Sequence, residues 1–478
     1  MNAIESLPFF GSELVITFAF FVALVLDFYV TEKKWIGWFC LLALVPAWFA
    51  ASAPQPALKL FFGYFVLDPF THFFKIVIYI AVGLTILISL VYNGIPEKQR
   101  GEFYALLLSL ALLLTLMGAA TNLLMIFIAI ESVSLTSYLL VGFQKFDKRS
   151  SEASLKYVLF GAVSTALMLF GMSLLFGTTG TIELTGIGAA ARTAGPGTWS
   201  MLVIGMLFLL VGIGFKIAVV PFHFWAPDVY QGAPTPVTAF LTVAPKALGF
   251  AVLARVLFLA FPQLAGNWSA LLTSLAILTM TLGNVVAISQ YDIKRLLAYS
   301  SIAQAGYILV GAATASTLGL QAILVYAVAY LFTNLGAFFT VLAIERNLGV
   351  NDLGAYRGLS ERSPFLALSL TLFLLSLAGI PPLAGFIGKV YIFAAAVEAN
   401  EIGLVVAIAL NSAAAAYYYF KVVKAMYLTP ARSSEVLENP VPVKIALGTA
   451  LLGTLAIGLY PSYLIRLVEQ TLATFPVF

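Results

Sequence analysis

The sequence predicts an all-α polytopic membrane protein, and three observations carry that prediction. Apolar residues make up 62% of 478, charged residues only 10%, and the mean hydropathy is +1.02. A soluble domain carries about 25% charge. Long apolar runs recur between short polar breaks, most near the roughly 20 residues a helix needs to cross a bilayer. Basic residues gather in alternate breaks.

The first seven runs place spans near 12–30, 35–51, 68–92, 102–118, 121–143, 152–176 and 200–221. The second half gives 234–260, 268–289, 294–313, 317–344, 364–398, 402–428 and 441–468, about fourteen in all. With the N-terminus outside, the inner connections hold Lys33, Lys34, Lys98, Arg100, Lys145, Lys148 and Arg149. They also hold Lys294, Arg295, Arg346, Arg357, Arg362, Arg432 and Lys444, against little more than Lys59 and Arg192 outside. That asymmetry is the positive-inside pattern. The expected location is a bacterial inner membrane with both termini in the periplasm.

Composition also excludes several classes. The net charge of +4 does not imply nucleic acid, because the basic residues sit in short connections. Cys40 stands alone, so no internal disulfide, zinc site or iron–sulfur cluster is expected. The two histidines, His72 and His223, make a haem pair a poor expectation. The opening MNAIESLPFFGSE is acidic, and the run after it is long enough to span, so it is expected to be retained rather than cleaved. The longest connections, 177–199 and 345–363, are too short for a nucleotide-binding domain.

Two spans are interrupted by proline. GFKIAVVPFHFWAPDVYQGAPTPVTAF runs from Gly214 to Phe240 with prolines at 221, 227, 234 and 236. LAGIPPLAGFIGKVYIF runs from Leu377 to Phe393 with Pro381 and Pro382 between glycines. Proline removes a backbone hydrogen bond, and irregular backbone at membrane depth is tolerated only inside protein or beside a water-filled cavity. Proline is common in membrane helices, so one kink needs no further reading. Two in spans seven and twelve, five helices apart, predict inverted repeats with a site near mid-membrane. The expected organisation is an N-terminal three-helix segment (1–100), two inverted five-helix repeats (101–260, spans 4–8; 261–430, spans 9–13), and a C-terminal helix (431–478).

Ionisable residues inside spans are the strongest functional signal, each costing about 2.5–3.5 kcal/mol at a helix centre. The candidates are Glu131, Lys156, Lys216, His223, Lys246 and Lys389. A buried lysine loses the solvation that favours its charged form, and a nearby carboxylate opposes that loss. A set of Lys and His with one Glu therefore reads as an electrostatically switched proton relay, with Ser134, Thr136 and Thr238 as hydroxyl intermediaries. Lys216 and His223 are seven apart and would share a face of a continuous helix. Lys156 lies nearer a helix end and also fits an anchor. Lys75, His72, Arg255 and Lys421 read as side chains snorkelling from span ends, and QYDIKR and GFQKFDKRSSE as solvated faces.

The stretches IESVSLTSYLLVGF, SSEASLKYVLFGAVST, GFKIAVVPFHFWAPDVYQGAPTPVTAFLTVAPKALGF, ISQYDIKRLLAYSSIAQAGY and AGIPPLAGFIGKVYIF resemble the antiporter-like subunits of respiratory complex I. That family also includes subunits of Mrp-type sodium/proton antiporters. The resemblance spans roughly residues 100–430. Within it the sequence is similar to the N-type subunits, in AYSSIAQAGY after DIKR, in VAPKA around Lys246, and in ending after span fourteen. Gln304 departs from a position often held by His.

The resemblance implies a proton-translocating subunit of an NADH:quinone oxidoreductase. Glu131 and Lys216 would form a coupling ion pair, Lys246 and His223 would pass the proton laterally, and Lys389 would deliver it to the outer exit. FMN, iron–sulfur clusters and quinone are expected in partner subunits and no cofactor in this chain. Its partners would be the neighbouring M-type and small membrane subunits. Three alternatives remain open at this point: a freestanding cation/proton antiporter, a non-pumping scaffold, and a complex fed by ferredoxin or F420.

Overall fold

A computed structural model describes residues 1–52, 57–431 and 436–476 of the chain; Arg432 lies outside the described residues. The chain is helical almost throughout. The N-terminal part holds α1 (Ala3–Ser6), α2 (Gly11–Tyr29), α3 (Lys34–Ser52) and α4 (Pro69–Ser89). Next come α5 (Arg100–Ala119), α6 (Leu123–Val141), α7 (Lys148–Thr179), α8 (Leu184–Arg192), α9 (Pro196–Ile217), α10 (Trp225–Gly232) and α11 (Thr235–Arg255). Then follow α12 (Ala265–Ile288), α13 (Ile293–Ala313), α14 (Thr317–Leu348), α15 (Leu359–Arg362), α16 (Pro364–Ala378), α17 (Ala384–Glu398) and α18 (Ile402–Leu428). The chain closes on α19 (Val441–Leu459) and α20 (Ser462–Leu472).

Among the described residues, thirteen helices are long and apolar enough to cross a membrane. The remaining expected span, the twelfth at 364–398, is divided between α16 and α17, each 15 residues and too short to cross alone. Three smaller features were not legible in the sequence. A two-stranded hairpin, β1 (Leu58–Leu60) and β2 (Phe65–Leu67), lies before α4. The short α8 occupies the 177–199 connection. The last expected span stops at Leu459, and α20 is a separate helix.

Both helix breaks end in the same way. The α9 helix closes on Ala218, in the left-handed region at φ 57°; Ala218 N–H donates to Phe215 O at 3.1 Å and Val219 N–H to Gly214 O at 3.0 Å. The α16 helix closes on Gly379 at φ 90°, with Gly379 N–H to Ser376 O at 2.9 Å and Ile380 N–H to Leu375 O at 3.0 Å. Each pair of bonds is a Schellman cap, which satisfies carbonyls a helix end otherwise leaves unpaired. Nearby side chains serve other freed groups. The Trp225 indole donates to Phe215 O, Thr279 accepts from Val220 N–H, and Ser376 accepts from Gly385 N–H, at 2.9–3.1 Å. Lys216 and His223 therefore do not lie on one continuous helix; the turn at Ala218 separates them.

Two stretches repeat local details. Asn122 and Asp292 cap α6 and α13, accepting from Met125 N–H and Arg295 N–H. Each also forms an isolated bridge to the residues just past a 32-residue helix, Asn122 to Glu183 after α7 and Asp292 to Asp352 after α14. Those two helices close on Gly180 and Gly349, both in the left-handed region.

Burial separates centre from periphery. The spans containing α11 and α13 are 94% buried and that of α14 89%, whereas α2, α7, α18 and α19 are 28–33% buried and turn apolar faces outward. Four side chains read from the sequence as snorkelling or solvated are instead held inside the bundle, three of them buried and Arg295 partly exposed. Lys75 meets Glu13 at 2.7 Å, the two being 3% and 1% exposed. Arg255 reaches Asp68 at 2.8 Å and bonds Thr71 and Gly118 O. Lys294, from QYDIKR, donates to Ala233 O at 2.7 Å. Its neighbour Arg295 pairs with Asp228 at 2.7 Å. Sequence spacing shows how far a charge lies from a helix end, not which helix faces it there.

The Arg255–Asp68 bond ties the end of α11 to the start of α4. Arg255→Ala leaves the Asp68 carboxylate largely buried without its cation, a loss of about 3–5 kcal/mol. Thermal unfolding of the purified protein should shift to lower temperature. An unchanged midpoint would remove this contact as the anchor of α4.

Candidate functional site

Four buried lysines have no carboxylate within 4 Å among the described residues; Lys294 stands in the first turn of α13, and the other three form the candidate site. Lys216 is 1% exposed, Lys246 3% and Lys389 8%. Each Nζ is served by hydroxyls or backbone carbonyls.

Lys216 lies in the last turn of α9 and donates to Ser134 Oγ on α6 at 3.0 Å. Glu131 stands one turn earlier on α6, half-buried, and accepts from Thr165 Oγ1 on α7 at 2.9 Å. The implied Glu131–Lys216 ion pair is thus not in contact. Ser134 takes the ammonium, and Glu131 is turned to α7. Both groups remain on neighbouring turns of one helix face, so the carboxylate acts on Lys216 through space.

Lys246 projects from the fully buried α11 and donates to Ser301 Oγ at 2.5 Å and Ser301 O at 2.9 Å. The Tyr330 hydroxyl donates to the same Ser301 Oγ at 2.8 Å, and the Tyr230 ring lies 5.7 Å from the ammonium. From there polar groups continue towards Lys389. Ser300 and Tyr419 share a hydroxyl bond at 2.6 Å, and Gln304 Nε2 donates to the Tyr419 hydroxyl at 3.3 Å and to Leu377 O at 3.1 Å. Tyr326 donates to Gln304 Oε1. Lys389 then donates to Ala378 O at 2.8 Å and to Ser412 Oγ at 3.2 Å, with the Tyr307 ring 4.6 Å away.

The second break builds that last position. Ala378 is the final residue of α16, whose C-terminal carbonyls carry the negative end of the helix dipole. Gly379 is required twice over: its φ is 90°, and a Cβ there would lie 2.6 Å from Lys389 Cδ. The backbone turn and the lysine stem occupy one space.

His223 lies between α9 and α10, 3% exposed, with its ring 4.5 Å from that of Phe224. Its Nδ1 is buried with no hydrogen-bond partner among the described residues. Lys156 differs from the other candidates: it is 38% exposed and pairs with Asp228 at 2.7 Å and Glu152 at 2.8 Å. Asp228 also binds Arg295, so one carboxylate joins α7, α10 and α13 beside a polar cavity of about 220 Å³.

Sequence reasoning missed Asp228, the Ser300–Ser301 pair, Tyr330 and Tyr419. The signal was present in AYSSIAQAGY, whose hydroxyls and amide recur on one apolar helix, but spacing alone assigns them no partner. Thr136 and Thr238, expected as intermediaries, donate to their own or adjacent helix carbonyls instead, Ser132 O at 3.0 Å and Tyr230 O at 2.9 Å.

The arrangement can hold and exchange protons. It offers lysines in a low-dielectric interior, hydroxyls that both donate and accept, and no group among the described residues placed to hold a metal ion.

Comparison with known proteins gives this geometry a family. Residues 120–414 match the family described as NADH:quinone oxidoreductase/Mrp antiporter, transmembrane. NADH-quinone oxidoreductase subunit N of Trichlorobacter lovleyi is 44% identical over 445 residues, covering 92% of this chain and 91% of that protein. NAD(P)H-quinone oxidoreductase subunit 2 of Thermosynechococcus vestitus is 44% identical, covering 85% and 79%. A chain of respiratory complex I from Thermus thermophilus superposes with a TM-score of 0.82 at 33% identity, covering 95% of this chain and 98% of that one. A chain of the Mrp complex from Dietzia shares the fold, with a TM-score of 0.87 at 20% identity. The chain belongs to the NADH:quinone oxidoreductase/Mrp antiporter family of membrane proteins.

Proposed function

We propose that the chain is a proton-translocating membrane subunit of an NADH:quinone oxidoreductase. The observation that carries this reading is the set of buried polar groups lying between Lys246 and Lys389: Lys246 bonds Ser301, the adjacent Ser300 bonds Tyr419, and Gln304 bonds Tyr419 and the Leu377 carbonyl next to the Ala378 carbonyl that Lys389 reaches. A scaffold gains nothing from lysines held without counter-charges at membrane depth.

Lys216 takes up or releases a proton as the influence of Glu131 changes, while Ser134 holds the ammonium. His223 and Lys246 carry the proton laterally. Lys389, at the end of α16, is the delivery site. Lys156 reads as the outermost member, held by Asp228 at a polar cavity rather than within the relay's interior. Gln304 holds no exchangeable charge where a histidine would, so tyrosine hydroxyls and water carry protons past it. Moving a proton against 100 mV costs about 2.3 kcal/mol, which requires a lysine's proton affinity to change by more than about one pKa unit.

The five-helix units 101–260 and 261–430 read as inverted repeats, supported by the matching caps, bridges and helix breaks. FMN, iron–sulfur clusters and quinone belong to partner subunits in this reading, and the neighbours of this chain are further antiporter-like and small membrane subunits. The location is a bacterial inner membrane with the basic connections cytoplasmic.

Orientation has a direct test, since the chain's single cysteine, Cys40, is buried. Cysteine placed at exposed Lys148 should react with a membrane-impermeant maleimide in inside-out vesicles and not in intact spheroplasts; the reverse pattern would invert the topology. For the relay, Lys216→Ala in the native assembly should lower quinone reduction and proton pumping together by about tenfold or more, equivalent to at least about 1.4 kcal/mol of barrier. Assembly on native gels should be unchanged. Normal pumping by that variant would sink the relay and favour a scaffold.

A further inference from the structure

We propose that the outer face of α18 binds an anionic phospholipid in the leaflet on the side of the basic connections, with the phosphate at Lys421 and Lys424 and an acyl chain along Ala413, Ala416, Tyr417 and Phe420. The inference is independent of the proton relay and concerns a face that the relay does not use.

The groove follows one stripe of α18. Ala413, Ala416, Tyr417, Phe420, Lys421 and Lys424 line a cavity of about 770 Å³. Steps of three and four residues keep these side chains on one face of the helix. That face looks outward, with Tyr417 64% and Phe420 47% exposed. The opposite face packs Tyr418 and Tyr419 into the bundle, where both are fully buried.

Polarity is ordered along the groove. The alanines and aromatic rings come first, and both lysines stand in the last turns of the helix, next to the connection that follows Leu428. Eleven residues separate Ala413 from Lys424, about 16.5 Å of helix. One leaflet contributes roughly 15 Å, half of the hydrocarbon core. A phospholipid has the same order and the same length: a chain one leaflet deep under a charged head. Tyr427, 43% exposed, adds an aromatic ring at headgroup level, where such rings gather in membrane proteins.

Charge selects the headgroup. No aspartate or glutamate lines the groove. Lys421 is partly buried and donates to Ile288 O at 3.3 Å and Gln290 O at 3.2 Å at the end of α12, with the Tyr291 ring 4.3 Å away. Those neighbours orient the ammonium without neutralising it, and they leave its third donor for a ligand. Lys424 is exposed one turn further on, and neither lysine has a carboxylate within 4 Å among the described residues. Like charges three residues apart on a helix repel, and a phosphate between them removes that cost. A polypeptide on this face would have to bring its own carboxylates to the membrane boundary. An anionic phospholipid brings the phosphate with its chains already in the bilayer, and basic sites beside membrane helices recognise such headgroups.

Photoreactive benzoylphenylalanine placed at Tyr417 in the native assembly tests the site in the membrane, with the same side chain at Leu452 on α19 as the reference. Leu452 is 70% exposed and stands eleven residues from the α19 end at Val441, as Tyr417 stands eleven from the α18 end at Leu428. After irradiation, the masses of the adducts on this chain identify the headgroups. The ratio of anionic to zwitterionic phospholipid adducts at position 417 should exceed that at position 452 at least about fivefold. Lys421→Gln/Lys424→Gln should bring the ratio at 417 down to the reference. If that double variant does not assemble on native gels, Lys424→Gln alone decides, with a fall of at least about twofold expected. Equal ratios at the two positions, a ratio that the lysine variants leave unchanged, a cross-link to a polypeptide in place of lipid, or no adduct at 417 overturns the site.

Discussion

A lysine charge at membrane depth needs a partner, and the lysines of the candidate site have no carboxylate beside them. The burial of Lys216, Lys246 and Lys389 is the constraint on which the rest of the architecture depends. Each ammonium is met by neutral dipoles only: Ser134; Ser301 and its carbonyl; Ala378 O and Ser412. Neutral partners stabilise the charged form less than a carboxylate would, so such a lysine gives up its proton more readily when the surrounding potential changes. Helix breaks supply part of this environment. Lys216 occupies the last turn of α9 and Lys389 faces the last carbonyl of α16, both at the negative end of a helix dipole.

Charges away from the centre follow a different rule. Lys75 with Glu13, Arg255 with Asp68, and Lys156 and Arg295 with Asp228 are all paired at 2.7–2.8 Å. They tie α2 to α4, α4 to α11, and α10 to α7 and α13. The unpaired lysines therefore sit within a frame whose charged contacts are at the ends of helices. A frame of that kind keeps the central hydroxyls in register when a proton changes the local charge.

The helix breaks join these two roles. Schellman caps at Ala218 and Gly379 end each helix without stranding backbone groups, which makes irregular backbone tolerable at membrane depth. Gly379 also leaves room for the Lys389 stem. At the first break Ala218 takes the left-handed conformation without glycine's freedom, at a cost of about 1–2 kcal/mol, and Trp225 answers a nearby carbonyl while stacking on Tyr157 at 4.4 Å.

The sequence by itself determined the membrane class, the membrane segments, the two proline breaks, and five residues of the candidate site that proved buried or partly buried in the interior. Hydrophobic run length, proline chemistry and the price of a buried charge are all local properties, so one dimension is enough to read them. Which groups meet was decided by the tertiary structure. Ser134 rather than Glu131 contacts Lys216, because three residues along α6 select which side chain faces α9. Asp228 drew no reading from the sequence, yet α7, α10 and α13 converge on it, and Lys294, read as solvated, is buried against Ala233 O. Lys75 and Arg255 looked free to snorkel until Glu13 and Asp68 arrived from helices 62 and 187 residues away in the chain. Counter-charges and hydrogen-bond partners are set by which helices pack together, and that packing is a property of the folded chain.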